Sequence, residues 1–316
     1  TAAPVVRLAL FLFGKEFERR LPLSEGSGWR TFLLAATVAL VVHQARPDAA
    51  EVAGSVADWL VANGHEVVLP PGDTPLGGAH RDTRWVKGDP AVRTPALAVS
   101  LGGDGTVLRT VELVAGDDVP VLGVNLGALG YLTEVEPPAT EVALQRFFAG
   151  EYGIEERMLL AVHVERAGEP GEHLLALNEA AIEKTRTGHT VRLDLSVGGR
   201  FFTSYETDAM IVATPTGSTA HSFSARGPIV APTHRLVLLT PVSPHMLFDR
   251  SLVLEPQTEV ALTVAGHRDA SLAVDGRLCA TLAPGDTVTC RAATERARLV
   301  TFGPRDFVQI LKAKFK

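Results

Sequence analysis

The stretch ALAVSLGGDGTVLR, residues 96–109, decides the fold. Ala96 to Leu101 is a short apolar run of the kind that forms a buried strand. It passes without interruption into Gly102-Gly103-Asp104-Gly105-Thr106, after which Val107, Val111 and Val114 recur on one helical face. Strand, glycine loop and helix in that order make up half of a βαβ unit, whose strands run parallel. The same grammar extends outward. Thr37 to His43 is a β-branched strand, and Asp48 stands where it could cap a helix carrying Val52, Val56 and Leu60. His65 to Leu69 and Val119 to Val124 supply two more strands, and residues 70–95, rich in Pro, Gly and charge, read as loop. The expected unit is a Rossmann-like parallel sheet with helices on its faces, over residues 37–137.

Beyond Pro137-Pro138 the pattern changes. A short helix from Thr140 to Phe148 leads into strand-like runs at Leu159–Glu165, Val191–Val197, Phe201–Tyr205, Met210–Ala213, Leu236–Leu239, Val260–Val264, Ser271–Val274 and Thr287–Cys290. Gly, Pro and Asp separate them, so residues 138–300 are expected to form an all-β, sandwich-like domain. Within the C-terminal segment 301–316, expected to pack on the first domain, Arg305 to Lys316 is amphipathic, with Phe307, Ile310 and Leu311, and is expected to be helical. Residues 1–36 show no periodicity and are read as an extension. The chain has 316 residues, 46% hydrophobic and 21% charged, with a net charge of −6. That composition excludes a mainly disordered chain, and a length prior of roughly 150 residues per domain fits two domains. The acidic balance argues against a nucleic-acid partner, whose footprint is a basic patch. Phe32 to Val42, the longest apolar stretch, is far shorter than the roughly 20 residues a bilayer span requires, so no membrane partner is expected. Cys279 and Cys290 make no disulfide framework and suit a reducing, cytoplasmic location.

Five motifs carry chemistry. In the first, glycines let the backbone approach a phosphate, and a helix N-terminus attracts anions. Asp104 within that loop must be compensated by a cation or accept a proton from a hydroxyl; its bland alternative is a helix cap. The second, Gly123 to Glu134 (GVNLGALGYLTE), is another glycine-rich strand end. The third, Leu177 to Lys184, holds Asn178 and Glu179, whose donors and acceptors suit ribose hydroxyls and an adenine edge, or a solvated turn. The fourth, Thr207 to Val230, leads a short strand into Thr214-Pro215-Thr216-Gly217-Ser218-Thr219-Ala220. There Pro215 is expected to block helix initiation and Gly217 to permit a tight turn, with hydroxyls offered to a polar ligand. The fifth, Val274 to Arg277, reads by itself as a hairpin turn at Asp275-Gly276.

Taken together, GGDGT, the Asn-Glu pair and TPTGSTA, in this order, resemble the NAD kinase family from about Thr37 to the C-terminus. GGDGT alone is shared with diacylglycerol- and sphingosine-kinase-like lipid kinases, and a similar loop occurs in phosphofructokinases. The resemblance implies an N-terminal α/β domain, a C-terminal β-rich domain and a C-terminal segment that returns to the first. It also implies a homodimer or homotetramer whose site lies between the domains. The implied reaction transfers the γ-phosphoryl group of ATP, or of polyphosphate, to the 2′-hydroxyl of the adenosine ribose of NAD, with a divalent cation, usually Mg²⁺; the metal ligands are left unassigned.

On this likeness Asp104 matches the catalytic aspartate, which accepts the hydroxyl proton or orients the hydroxyl and metal. Gly102, Gly103, Gly105 and Thr106 would cradle phosphate. Asn178, Glu179 and Asp208 would bind the NAD nucleoside, together with Thr216, Ser218, Thr219, Ala220, His221, Ser222, Phe223 and Ser224. His189 falls where several members carry a substrate-contacting histidine, and Arg277 where it could reach substrate across a subunit interface. Three positions depart from the family: His221 for a usual Tyr, Arg226 for a Gly, and Glu206 for a basic residue. The competing readings are a lipid kinase sharing GGDGT and a non-catalytic NADP(H) sensor.

Overall fold

The computed structural model describes residues 35–73, 76, 94–127 and 130–314. The expected extension lies almost wholly outside these residues, as does most of the loop expected at 70–95. Four parallel strands form the N-terminal half: β1 (Thr37–Val42), β2 (Glu66–Val68), β3 (Leu97–Gly102) and β4 (Pro120–Asn125), in the spatial order β2-β1-β3-β4. Every residue of β1 and β3 is buried, as expected of strands covered on both faces. Helix α1 (Pro47–Ala62) covers one face with Ala49, Ala53, Val56, Ala57 and Leu60. Helix α2 (Asp104–Val114) covers the other with Val107, Val111 and Val114.

Asp48 does not cap α1. Arg46 occupies the cap position without a side-chain cap bond, Pro47 supplies the pre-set first turn, and Asp48 forms an ion pair with Arg46 at 2.6 Å.

Helix α3 (Thr140–Phe148) connects to β5 (Gly153–Glu165), β6 (Glu172–Ala176), β7 (Glu179–Lys184), β8 (Val191–Val197), β9 (Arg200–Thr207) and β10 (Ala209–Ala213). A 3₁₀ turn (Thr216–Thr219) and the short helix α4 (His221–Ser224) follow. Then come β11 (Val237–Val242), β12 (Leu252–Leu254), β13 (Val260–Ala265), β14 (Ala270–Val274), β15 (Arg277–Leu282), β16 (Thr287–Thr301) and helix α5 (Phe307–Lys314). One antiparallel sheet has the order β12-β11-β10-β7-β14-β15. It packs on β5, β8, β13 and β16 through a core that includes Leu160, Leu193, Leu262 and Val288 on one side and Ile182, Met210, Leu239 and Leu272 on the other. The alternating burial of β13 and β14 is the pattern of half-buried strands in such a sandwich.

The two halves share a sheet. The strand expected at Thr287–Cys290 continues to Thr301 as β16. It runs antiparallel to β13 and β5 and then joins β4 in parallel, with Arg298 opposite Pro120 and Leu299 opposite Val121. The result is one mixed ten-stranded sheet. An irregularity between Ala292 and Arg296 re-aims β16 at this junction.

Candidate functional site

The helix begins at Asp104 itself, and the loop between β3 and α2 shrinks to Gly103, which takes the N-cap position with no side-chain cap. Asp104 is therefore not the cap. Its carboxylate turns to the second glycine loop and accepts the backbone N–H of Tyr131 (2.9 Å to Oδ2) and of Leu132 (3.0 Å to Oδ1). Gly130 permits this approach, because a Cβ there would lie 2.3 Å from Oδ1. Gly102 is similarly constrained, since a Cβ would lie 2.1 Å from Thr106 Oγ1. Gly103 and Gly105 leave the helix start open, and Thr106 is buried behind it.

Gly103, Gly105 and Thr106 line a cavity of about 520 Å³ with His43, Arg46, Arg109 and Gly127. Two guanidiniums therefore stand beside an uncapped helix N-terminus, the charge arrangement that favours phosphate. Each is held from behind by a carboxylate: Arg46 by Asp48, and Arg109 by Asp73, whose side chain is 1% exposed. Asp73 also accepts the N–H of Val42 at 3.4 Å, which ties Arg109 to the end of β1. The glycine motif ends at Arg109 but gave it no role, and His43, Arg46 and Asp73 lie outside the sequence motifs. Arginines at a helix start and in an amphipathic helix look like ordinary solvated charges; the signal was their proximity to strand ends.

On the other side of α2, Asn178 and Glu179 stand at the start of β7, not on a solvated turn. Leu177 packs with Val107, Val111 and Leu132, which brings this strand end against α2. Asp275 fixes its conformation, accepting the N–H groups of Leu177 (2.8 Å), Asn178 (2.7 Å) and Glu179 (3.1 Å). Asp275 and Gly276 have φ of 49° and 76°, as a type I′ hairpin requires. The Asp-Gly pair is thus more than a turn signal: it anchors the Asn-Glu segment.

Burial raises the Glu179 pKa to about 8, the Asp275 carboxylate adds to the rise, and the backbone N–H of His221 opposes it. Glu179 Oε2 is buried without a hydrogen-bond partner. At neutral pH this is a protonated acid able to both donate and accept.

The TPTGSTA segment folds against the same strand end. Pro215 does not prevent helical structure; it precedes the 3₁₀ turn, which runs on into α4. Gly217 is required by a close approach, since a Cβ would lie 2.1 Å from the carbonyl oxygen of Asn178. Thr214 bridges the carbonyl of Leu177 at 2.5 Å and the N–H of Gly217 at 3.2 Å. Several of the hydroxyls proposed for ligand are committed internally. Ser218 exchanges hydrogen bonds with the backbone of Val230, Ser222 bonds Thr240, Thr219 bonds the carbonyl of Thr216, and Thr216 accepts from Arg157. Ala220, His221 and Phe223 are half-buried, and Ser224 is exposed. His221 Nδ1 lies 3.9 Å from Glu183.

Asp208 pairs with Lys184 Nζ at 2.5 Å, so a neighbouring strand supplies the cation that position 206 lacks. His189 is exposed in the loop between β7 and β8. Arg277 is paired within its own chain to Glu112 of α2, apart from the cavity at the start of α2. Arg226 holds a left-handed backbone, φ 64°. Cys290 lies in the sandwich core, where burial raises its thiol pKa to about 12, and Cys279 is likewise unpaired.

An α/β sheet that ends in a glycine loop beside two guanidiniums, joined through β16 to an antiparallel sandwich, has the arrangement of a phosphate-binding enzyme. The comparisons sharpen this. Residues 38–152 match the ATP-NAD kinase N-terminal domain, and residues 177–302 match the ATP-NAD kinase C-terminal domain. An NAD kinase of Heliobacterium modesticaldum is 40% identical over 287 residues, which cover 89% of this chain and 98% of that protein.

The chain belongs to the NAD kinase family. Two solved structures share its fold. Yeast NADH kinase complexed with NADH has a TM-score of 0.79 at 24% identity, over 88% of this chain and 86% of that one. An NAD kinase from Archaeoglobus fulgidus in complex with ATP has a TM-score of 0.64 at 23% identity, over 89% of this chain and 97% of that one. The protein is thus a phosphotransferase acting on NAD; nothing in the comparisons favours the lipid-kinase or sensor readings.

Proposed function

We propose that ATP lays its phosphates in the cavity between Arg46 and Arg109, and that the adenosine ribose of NAD is held by Asn178 and Glu179 with its 2′-hydroxyl at Asp104. One observation carries this reading. Gly103 and Gly105, on either side of Asp104, line the phosphate cavity, while the Asp104 carboxylate itself is turned toward Tyr131, which borders the TPTGSTA segment. Asp104 thus stands between donor and acceptor. Its two backbone N–H bonds fix the carboxylate in one orientation, so its remaining lone pairs hold the hydroxyl in line with the γ-phosphorus and take up its proton as the oxygen–phosphorus bond forms and the bond from the γ-phosphorus to the β-phosphate oxygen breaks, with ADP as the leaving group. Arg46, Arg109 and the start of α2 counter charge on the phosphoryl oxygens. Asp208 and the Thr219–Ser224 segment complete the acceptor pocket.

Among the described residues no three His, Cys, Asp or Glu side chains cluster as a metal cage. A single carboxylate at the glycine loop nonetheless suits Mg²⁺, which binds through one or two carboxylates together with substrate phosphates. Asp104 would be its protein contact, and the ion would supply further charge neutralisation on the phosphates. We further propose domain limits of 37–137 and 138–300, with 301–316 packing on the first domain, a substrate contact for His189, and a homodimer or homotetramer in which Arg277 reaches the substrate of a neighbouring subunit. A cytoplasmic location is supported by two free cysteines and by the absence, among the described residues, of a helix able to cross a membrane.

The test is NADP formation from NAD, ATP and Mg²⁺, followed with an NADP-specific dehydrogenase, with polyphosphate in a parallel reaction. NADP with ATP supports the reading and the parallel reaction sets the donor range. Folded protein that makes no NADP with either donor overturns it.

A further inference from the structure

The segment after β16 returns across the molecule and buries one arginine. The Arg305 side chain is 8% exposed. Its Nη2 donates to the carbonyl oxygens of Tyr131 (2.8 Å) and Thr133 (3.3 Å). Its Nε lies 3.4 Å from Glu134, and its Nη1 lies 4.0 Å from Glu155. Phe302 adds a backbone N–H to Glu134 at 3.1 Å, and Lys314 sits 4.9 Å above the Tyr131 ring. All but the Glu155 contact fall on residues 131–134, and within that loop the N–H groups of Tyr131 and Leu132 hold Asp104.

The linkage is closer than shared neighbourhood. The carbonyl that Arg305 grips at Tyr131 belongs to the same peptide group as the Leu132 N–H, and that N–H donates to Asp104 Oδ1. A guanidinium on the oxygen polarises the peptide and strengthens the N–H as a donor. Glu155 extends the network. It also pairs with Arg157, 4% exposed, which reaches Thr216 Oγ1 at 3.2 Å, so the residues that brace the Asp104 loop also brace the TPTGSTA turn.

We propose that Arg305 is a positioning residue: it acts through the Tyr131–Leu132 peptide to set the orientation of the Asp104 carboxylate, and the C-terminal segment is thereby part of the catalytic apparatus. This rests on Asp104 being the catalytic carboxylate. A lysine could keep the charge but could not span two carbonyls and Glu134 with a planar fork.

The test uses the full chain with Arg305→Ala, Arg305→Lys and Asp104→Asn. Arg305→Ala is expected to lower kcat by about ten- to a hundredfold, the scale of a small misplacement of a reacting group. KM for NAD and ATP should stay within about threefold, as expected of a group that acts through the loop backbone rather than on substrate. Arg305→Lys should recover part of the loss, and millimolar guanidinium should raise kcat of the alanine variant. Amide exchange at Leu132 should accelerate by about tenfold without global unfolding. An unchanged kcat overturns the proposal, as does a loss that tracks a fall in Tm with no guanidinium rescue and unaltered exchange at Leu132. Asp104→Asn retaining full activity defeats the underlying reading instead, a result distinguishable because the exchange at Leu132 reports on Arg305 independently of turnover.

Discussion

The two sides of α2 handle charge in opposite ways. On the donor side, each cation is exposed to the cavity and backed by a carboxylate, as Arg109 is by Asp73. On the proposed acceptor side, burial raises the pKa of two carboxylic groups, Glu179 and Asp275, the Asp275 charge adds to the rise at Glu179, and backbone N–H groups oppose the rise at both. The first side is poised to receive a highly charged ligand whose own charge completes the balance. The second is poised for a neutral one, since a hydroxyl or a base edge can satisfy a protonated acid without adding charge. A kinase that joins ATP to a ribose acceptor needs both, and in the proposed arrangement Asp104 lies at their boundary.

The largest expected effect breaks the boundary itself. Asp104→Asn should cost about 10²- to 10⁴-fold in kcat, and it also sets an amide N–H₂ against the Tyr131 and Leu132 donors. Circular dichroism and NAD affinity would show whether fold and binding survive. On the donor side, Arg109→Ala should raise KM for ATP about ten- to a hundredfold while KM for NAD holds, as loss of a charge-assisted phosphate contact predicts; equal effects on both substrates would refute the division. On the acceptor side, Gly217→Ala should reverse that split and cost about 1–3 kcal/mol in urea unfolding, because the new Cβ meets the Asn178 carbonyl.

A subtler probe is pH. Native Glu179 keeps its proton to about pH 8, whereas an ordinary glutamate loses it near 4.5. The native state therefore binds more protons across that interval, and its stability must fall as pH rises from 4.5 to 8 and level off above. Glu179→Gln should flatten that slope; an unchanged slope would assign it elsewhere. The smallest effect concerns Arg226, an arginine at φ 64°. Arg226→Gly should raise stability by about 1 kcal/mol by relieving left-handed strain, and a simultaneous rise in KM would show that the strain is kept for substrate.

Much of this was legible in the chain. The β3 run and the valine spacing after it fix a parallel sheet, and the three motifs in order fix the family. What escaped was whatever depends on partners distant in sequence. Asp275-Gly276 gives an unambiguous hairpin signal that hides its second task, because nothing local tells that its carboxylate meets three N–H groups about 97 residues away. Gly217 was correctly flagged but for the wrong reason, since close approach to Asn178 leaves no trace in its own neighbourhood. Residues 291–301, with charges at Arg291, Glu295, Arg296 and Arg298, do not look like the central strand they form. The charged side chains alternate out to solvent or to ion pairs, as Arg296 does with Glu156. β6, β7, β12 and β15 were missed because they are short or mix charge with small residues.

The path of β16 also has a consequence for how the protein is made. A ribosome delivers β4 about 180 residues before the strand that covers it, as the Arg298–Pro120 pairing implies. Until Thr287–Thr301 emerges, the nascent parallel sheet ends in an unpaired, apolar edge, the kind that recruits other chains. The half that carries the Asp104 loop thus leaves the ribosome with its sheet unfinished, and a segment synthesised much later both closes that edge and delivers Arg305 to the loop.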